Sequence, residues 1–229
     1  MIDLQPFAYD VVMIDPPWPW ETYSAAGQAK SPEAQYDTMS FEDIEALRAG
    51  DLLAPGGVMM LWCTWPLVDR QAAVMRAWGV KPVTGGAWAK RTASGKLRWG
   101  PGYVLRSVCE PFLIGTLKDS GARGPGVPNL IETIDEALVD GVAREHSRKP
   151  DEAYALLEAV APGLRRADIF ARQSRPGWDA WGNEATKFDA VAPIKPAQGD
   201  AERIRAALDW ENDFYLYNLG GEPHGRARK

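Results

Sequence analysis

Short apolar runs alternate with stretches of helical periodicity along most of the chain. The runs at 11–14, 58–63, 83–89 and 167–171 have the length and residue types of buried strands. Apolar residues at helical spacing predict helices at 41–48, 67–78 and 153–160, and two further extended segments are expected within 98–117. Strands that alternate with helices predict an α/β fold, with a mainly parallel sheet and right-handed crossovers.

Turn and capping residues set the expected boundaries of these elements. Ser40, followed by Glu42 and Asp43, resembles a capping box, and Gly50 is the expected end of that helix. The Pro-Gly-Gly sequence at 55–57 predicts a turn before the second strand, and Gly79 is expected to end the following helix. The polar segment 21–35 follows the first strand directly. We interpret it as either a mobile lid or a disordered loop, with neither alternative favoured.

Length and composition fit one globular domain with a short appendage. The chain has 229 residues, of which 45% are hydrophobic and 25% charged. We expect a main domain at 1–189, followed by a Pro- and Ala-rich linker and a helical, aromatic and basic appendage at 190–229. No secretion signal or membrane-spanning run is recognisable, so we expect a soluble cytoplasmic protein. Cys63 and Cys109 have no CxxC spacing, which predicts buried free thiols and no metal site.

The charge pattern is mixed. A formal net charge of −5 argues mildly against a nucleic-acid binder that relies on bulk electrostatics. Basic residues nevertheless cluster at 90–98, 144–149, 165–166 and 226–229, where each cluster is either a solvated face or a binding patch. The chain has ten tryptophans, and several must lie in the core. Trp18, Trp20, Trp99 and Trp178 stand beside glycine, proline or charged residues, where a ring can serve a surface.

The most informative stretch is Asp15-Pro16-Pro17-Trp18, which directly follows the apolar run 11–14. Neither proline can donate to a β-ladder, so the strand must stop at Asp15. Ligands of open α/β sheets bind outside the carboxyl ends of strands, which makes this strand end a candidate site. The Asp15 carboxylate and the Pro16 carbonyl can each accept an N–H from an aromatic amine such as N6 of adenine, which exposes the lone pair of the nitrogen.

Trp18 adds a ring on which an extruded base can stack. Such stacking contributes about 1–3 kcal/mol per base in single-stranded nucleic-acid recognition, and extrusion of a base costs a few kcal/mol. The alternative is an ordinary strand-terminating turn with no catalytic role. The complete Asp-Pro-Pro-Trp string after an apolar strand favours the catalytic interpretation.

Three blocks of sequence resemble the adenosine-N6 methyltransferase family that includes the catalytic subunit of the eukaryotic messenger-RNA methyltransferase and many bacterial and phage proteins. The first block is Asp15-Pro16-Pro17-Trp18 with Tyr36 to Ser40 downstream, and the second is His146-Ser147-Arg148-Lys149-Pro150-Asp151-Glu152. The third is Asp168 to Arg172, followed by Trp178, Gly182, Asn183 and Glu184. The order and spacing of the blocks agree with the family from about Phe7 to Phe188.

The resemblance implies a Rossmann-like methyltransferase fold with helices on both faces of the sheet and with S-adenosylmethionine as the cofactor. The family motif makes Asp15, Pro16, Pro17 and Trp18 the catalytic residues. The implied cofactor-binding residues are Asp15, Lys149, Asp168, Phe170, Arg172, Ser174, Arg175, Asn183 and Glu184. In physical terms, Lys149 can pair with the methionine carboxylate and Asp168 can accept from the ribose hydroxyls. The substrate-binding candidates are Trp18, Tyr36, Trp88, Lys90 and Glu110.

The sequence departs from the family at three of these positions. Members often carry His-Asn where this chain has Ser174-Arg175, and often Gln where it has Glu184, whereas Arg172 and Asn183 agree with the family.

The leading hypothesis is transfer of a methyl group to N6 of adenine in nucleic acid. We expect DNA rather than RNA, because no added RNA-binding module is recognisable and the chain resembles bacterial and phage members. One alternative is a non-catalytic nucleic-acid-binding subunit of a methyltransferase complex. Another is a methyltransferase that acts on a protein amide or a small-molecule amine. A homo-oligomer is compatible with all three hypotheses.

Overall fold

A computed structural model describes residues 2–19, 38–92, 94–100, 102, 104–117, 127–134, 149–160 and 165–189. In these residues, seven strands form one sheet in the order β5-β3-β4-β2-β1-β6-β7. The strands are β1 (Tyr9–Ile14), β2 (Leu53–Trp62), β3 (Lys81–Arg91), β4 (Cys109–Thr116), β5 (Leu130–Ile134), β6 (Arg166–Ile169) and β7 (Trp178–Trp181).

The sheet is parallel except for β4. Strand β1 pairs in parallel with both β2 and β6, β6 pairs in parallel with β7, and β3 with β5. Strand β4 pairs antiparallel with both β2 and β3, so it is the single reversed strand of the described sheet. The predicted mainly parallel sheet is therefore confirmed. The carboxyl ends of six strands and the amino end of β4 meet at one edge.

Helices cover both faces of this sheet, as the family resemblance implied. Successive residues of a strand point to opposite faces, and the core divides accordingly. Val12 and Ile14 pack in one apolar cluster with residues of α1 (Phe41–Ala46) and α2 (Val68–Ala77). Val11 and Met13 pack in a second cluster with residues of α3 (Asp151–Val160). Each fully buried aliphatic side chain contributes about 1.5–3 kcal/mol, so both clusters hold β1 firmly in place.

Two capping predictions are confirmed and one is wrong. The Ser40 hydroxyl oxygen accepts from the Asp43 backbone N–H at 3.0 Å, as a capping residue does. Gly79, with φ of 78°, follows α2 as predicted. Helix α1 ends before Gly50, because Arg48 adopts the left-handed conformation with φ of 52° and the chain continues as a 3-10 turn, Ala49–Leu52.

Several strand boundaries differ from the prediction. The predicted turn at 55–57 lies inside β2, where a shift of register from Tyr9–Leu53 to Val11–Val58 absorbs the extra residues and Gly56 takes φ of 82°. Only β4 forms within 98–117, and the second extended segment expected there is absent from its described part. Strands β5 and β7 were not predicted, because both are short and carry acidic or polar side chains.

Other predictions fall on residues that the structure does not describe. The segment 21–35, Tyr36 and the appendage 190–229 lie outside the described residues. Both cysteines are free, as expected, with Cys63 buried and Cys109 half-buried. No helix in the described part of the chain is long and apolar enough to span a membrane.

Candidate active site

Asp15 lies where the neighbouring strands β1 and β6 end. Strand β1 stops at Ile14, as the two prolines require, and the Asp15 backbone N–H donates to the Ile169 carbonyl at 3.3 Å. Asp15 therefore stands at the carboxyl edge of the sheet, where ligands of such folds bind. Its side chain is 27% exposed, which leaves the carboxylate accessible from the cleft.

The backbone after Asp15 is fixed by two hydrogen bonds. The Trp18 N–H donates to the Pro16 carbonyl at 2.8 Å, and the Met39 N–H donates to the Pro17 carbonyl at 2.9 Å. A carbonyl oxygen has two lone pairs, so Pro16 can still accept one N–H from a ligand. These two bonds thus fix the backbone orientation of the motif.

Trp18 is buried, contrary to the expectation of a surface ring. Only 6% of the residue is exposed, its indole N–H donates to the Trp62 carbonyl at 3.0 Å, and its ring centre lies 5.5 Å from that of Phe41. Trp178 is also buried, whereas Trp99 is 62% exposed as expected. Base stacking by Trp18 stays a prediction that requires its ring to leave this core.

Four charged groups form a continuous line along the edge of the sheet. The Lys149 ammonium lies 3.3 Å from an Asp15 carboxylate oxygen and 3.1 Å from one of Glu110. The other Glu110 oxygen accepts from the Lys90 ammonium at 2.7 Å. We call these residues, Asp15, Lys149, Glu110 and Lys90, the charge line. Reversal of β4 makes it possible, because Glu110 lies near the amino end of β4 and so meets the carboxyl ends of its neighbours.

Two tryptophans lie beneath the cations of the charge line. The Lys149 ammonium is 4.6 Å from the centre of the Trp62 ring, and the Lys90 ammonium is 4.0 Å from that of Trp88. Both rings are buried and meet edge to face. The Trp88 indole N–H donates to the Thr133 hydroxyl at 2.8 Å, and substrate binding by Trp88 stays a prediction.

Burial and neighbouring charges shift the pKa values of Glu110, Lys149 and Asp15 in the charge line. Burial on its own raises the pKa of Glu110, but the two ammonium groups outweigh it and lower that pKa to about 2. Burial on its own lowers the pKa of Lys149, and the Asp15 and Glu110 carboxylates outweigh it, so that pKa is raised. Burial raises the pKa of Asp15 despite the opposing effect of Lys149. Asp15 is therefore the less fully compensated of the two acids.

Asp168 lies on the same face as Asp15 but is deeper in the protein. It pairs with Met13 in the ladder between β1 and β6, and only 4% of it is exposed. Its Oδ2 accepts from the Tyr154 hydroxyl at 2.7 Å. Burial raises the pKa of Asp168 to about 7, and the Tyr154 hydrogen bond opposes that shift. This acid therefore titrates near neutral pH.

The turn after β6 places Phe170 in an unusual backbone conformation. Phe170 has φ of 62°, and its ring packs edge to face on Trp181 with centres 5.5 Å apart. A Cβ atom at Gly182 would lie 3.0 Å from the Phe170 Cα, so this close approach requires glycine. The ends of β6 and β7 are also joined by a 3.0 Å ion pair between Arg172 and Glu184.

The predicted cofactor residues divide into two groups. One cleft brings together the two aspartates, Lys149 and two arginines. Its lining residues are Met13, Asp15, Lys149, Tyr154, Asp168, Phe170, Ala171, Arg172, Gln173 and Arg175. Ser174, Asn183 and Glu184 are not among the lining residues. The Ser174 hydroxyl donates to Asp189 at 2.6 Å, Glu184 accepts from Lys187 at 2.8 Å, and Asn183 is exposed.

Sequence reasoning missed Trp62 and Tyr154. Trp62 is the last residue of β2, and its position at a strand end was the available signal. Tyr154 lies on the apolar face of α3, where a polar hydroxyl among aliphatic neighbours must find a partner. Asp151, part of the second family block, pairs with Arg175, which had been predicted only as a cofactor contact.

Comparison with known proteins agrees with this geometry. The MT-A70 family model matches residues 9–184, from the start of β1 to Glu184. An Arabidopsis thaliana protein named N(6)-adenosine-methyltransferase MT-A70-like is 31% identical over 220 residues, which cover 90% of this chain and 29% of that protein. The human N(6)-adenine-specific methyltransferase METTL4 is 28% identical over 194 residues, covering 80% of this chain and 39% of that protein.

A third relative, from the fungus Cryphonectria parasitica, is named N6-methyladenosine RNA methyltransferase MTA1. It is 26% identical over 186 residues, which cover 79% of this chain and 52% of that protein. The chain thus spans between 29% and 52% of the length of these relatives. The family match covers every strand of the described sheet and both acids of the cleft. This chain belongs to the MT-A70 family.

Proposed function

We propose that this chain transfers a methyl group from S-adenosylmethionine to N6 of adenine in nucleic acid, with DNA preferred over RNA. The observation that carries the proposal is the cleft in which the Asp15 carboxylate, at the end of β1, shares a lining with Asp168 and Arg172 of the β6 end. One side of this cleft suits an aromatic amine and the other suits a charged nucleoside. The names of the relatives support the same chemistry.

The residues of the cleft fit S-adenosylmethionine, whose carboxylate, ammonium, sulfonium and nucleoside need partners of both signs. Lys149 has three N–H donors, and its two carboxylate partners take two of them, so one remains for the methionine carboxylate. Asp168 keeps one oxygen beyond the bond from Tyr154. When bound, the cofactor supplies an electrophilic methyl group on its sulfonium. The Phe170 ring adds an apolar wall beside it.

The chain's own contribution to catalysis is to position the amine. Asp15 and the Pro16 carbonyl accept the two N–H groups of the adenine amine, which turns the nitrogen lone pair toward the cofactor side of the cleft. The Lys149 ammonium, 3.3 Å from Asp15, orients its carboxylate and opposes the rise in its pKa that burial causes. The proton released after transfer can leave to solvent, because Asp15 is partly exposed.

A basic hairpin beside the cleft supports a polymeric, anionic substrate. The segment 92–108, which joins β3 to β4, carries three basic residues and no acid, in a chain of net charge −5. Trp99 is 62% exposed on it, and the Arg106 guanidinium lies 5.6 Å from the centre of that ring. Exposed aromatic rings beside arginine and lysine are typical of surfaces that stack bases and contact phosphates.

Methyl-transfer assays on matched substrates test the proposal. Tritiated S-adenosylmethionine should label adenine in DNA oligonucleotides, more than in RNA oligonucleotides of the same sequence, and should not label protein. Asp15→Ala should lower transfer at least about 100-fold, the usual effect of removing a positioned polar group from a reacting centre. Cofactor binding, measured by calorimetry, should largely survive. Asp10→Ala, at the amino end of the same strand, is the matched control.

Other outcomes of the same assays identify the alternatives. Unchanged transfer by Asp15→Ala would refute the role of this acid. Greater labelling of RNA would reverse the substrate preference. Nucleic-acid binding without labelling would identify a non-catalytic subunit, and labelled protein would identify an amide methyltransferase.

A further inference from the structure

A second chain of contacts, separate from the charge line, supports Asp168. The Tyr154 hydroxyl donates to Asp168, the Arg175 guanidinium lies 3.8 Å from the centre of the Tyr154 ring, and Arg175 pairs with Asp151. These residues come from α3, from β6 and from the segment that follows β6. The contacts therefore tie the helix on one face of the sheet to the cofactor side of the cleft.

The Tyr154 ring is held in one orientation. It is 7% exposed and packs edge to face on Trp178, with ring centres 5.1 Å apart and planes at 80°. The guanidinium of Arg175 lies over the ring as well. Because these contacts already fix the ring, the Tyr154 hydroxyl stays directed toward Asp168. Ligand binding therefore costs no further rotational freedom of this side chain.

We propose that Tyr154 is a positioning residue for the cofactor: it holds Oδ2 of Asp168, so that Oδ1 accepts from a donor of S-adenosylmethionine. The donor is either an O–H of the ribose or an N–H of the methionine ammonium, because both groups can donate to a carboxylate. The inference rests on the proposed function. It adds a residue of the cleft lining that acts through its hydrogen bond to Asp168.

The charges around Asp168 give this role a measurable signature. Asp168 faces the Tyr154 hydroxyl on α3, Arg175 after β6 and Asp15 at the end of β1, and Lys149 and Arg172 line the same cleft. Burial raises its pKa to about 7, whereas the Tyr154 hydroxyl stabilises the ionised form. Loss of that hydroxyl should raise the pKa further and leave less carboxylate to accept from the cofactor at neutral pH.

The test is Tyr154→Phe, which removes the hydroxyl and keeps the ring. Binding of S-adenosylhomocysteine is measured by calorimetry from pH 6 to pH 9, and the titration of the Asp168 carboxyl carbon is followed by NMR in the free protein. We expect affinity about tenfold weaker near pH 7, consistent with loss of a hydrogen bond to a charged group. The deficit should shrink toward pH 9, and the NMR midpoint of Asp168 should rise.

Tyr9→Phe is the matched control. The Tyr9 hydroxyl also donates to an aspartate, Asp179, at 2.7 Å, but Tyr9 lies at the amino end of β1, away from the cleft. This variant should leave the affinity and its pH profile unchanged. Thermal unfolding of both variants checks that each folds.

Each remaining outcome has a defined meaning. A Tyr154→Phe profile that matches the unaltered protein, or a deficit that is equal at every pH, would overturn the positioning role while the proposed function stands. An unaltered protein that binds no S-adenosylhomocysteine would overturn the proposed function itself. Repeating the titration with 5′-methylthioadenosine, which lacks the amino acid part, identifies the donor: a deficit that persists assigns the ribose, and one that vanishes assigns the ammonium.

Discussion

The two sides of the cleft treat their acids differently. On the amine side, Glu110 has two ammonium partners and its pKa is lowered to about 2. On the cofactor side, the hydrogen-bond donor to Asp168 is a neutral phenol, and burial raises the pKa of that acid to about 7. One sheet edge thus carries an acid that stays ionised at neutral pH, Glu110, beside one whose pKa lies near neutrality, Asp168.

The difference follows both the partners and the burial of the two acids. The Glu110 side chain is 39% exposed and has two lysines within hydrogen-bond distance, whereas Asp168 is 4% exposed and has a neutral hydroxyl. Fixed charge suits the role proposed for this side, which is to orient an amine. An acid whose pKa lies near neutrality can stay protonated, and so costs less free energy to bury, until a ligand provides hydrogen-bond donors.

Lys149→Met should produce the largest change, because it removes the cation shared by Asp15 and Glu110. Breaking a buried ion pair costs about 3–5 kcal/mol, and the partial solvent access of both acids places the expected loss of unfolding free energy near the lower end. Without the cation, the pKa of each acid rises in the folded state. The folded protein then binds protons more readily, so the loss measured by thermal unfolding should be smaller at pH 5 than at pH 7.

Lys187→Met is the control for that experiment. It breaks the exposed pair between Lys187 and Glu184, for which the expected loss is below about 1 kcal/mol. A Lys149→Met loss as small as this, or one that is the same at pH 5 and pH 7, would contradict the description of the charge line.

Asp168→Asn should produce an intermediate change in stability. In contrast to Lys149→Met, it should stabilise the protein, and the gain should grow as the pH rises. The folded-state pKa of about 7 exceeds the ordinary value of 3.8, so ionisation of Asp168 removes stability as the pH rises through this window. The amide avoids that cost, and its oxygen can still accept from Tyr154. The variant should therefore melt a few degrees above the unaltered protein at pH 8, and the gap should close toward pH 4.

Asp179→Asn, at the other tyrosine–aspartate pair, is the control for this comparison. It should not reproduce the gap at pH 8, because Asp179 is exposed. The difference in melting temperature between Asp168→Asn and the unaltered protein could instead widen as the pH falls. That result would show that Asp168 is ionised in the folded protein at low pH, and it would contradict the contrast between the two sides.

Lys90→Met should produce the smallest change. Its side chain is 32% exposed, and Glu110 keeps Lys149 as a partner, so the expected loss is below about 1 kcal/mol. The pKa of Glu110 should rise from about 2 but stay acidic. Thermal unfolding at pH 7 measures the effect, and a loss larger than that of Lys149→Met would place the centre of the charge line at Lys90.

Sequence patterns predicted the centre of the sheet well, because an apolar run followed by two prolines has few possible structures. The position of Asp15 at a strand end followed directly from that pattern. The pairing of Lys149 with Glu110 did not, since it depends on the reversal of β4, which periodicity does not reveal. Trp18 was misjudged because its proline neighbours suggested a surface, whereas its indole packs beneath the edge of the sheet.

Because β4 is reversed, a single segment joins it to β3 at the edge of the sheet that carries the candidate site. Pairing of Ala89 with Cys109 fixes the register of β3 and β4 before the connecting segment begins, so residues 92–108 can change in length without displacing either strand. That segment begins and ends at the edge that carries Asp15. Exchange of this segment between family members should therefore leave Asp15 and Glu110 in their places at the edge of the sheet.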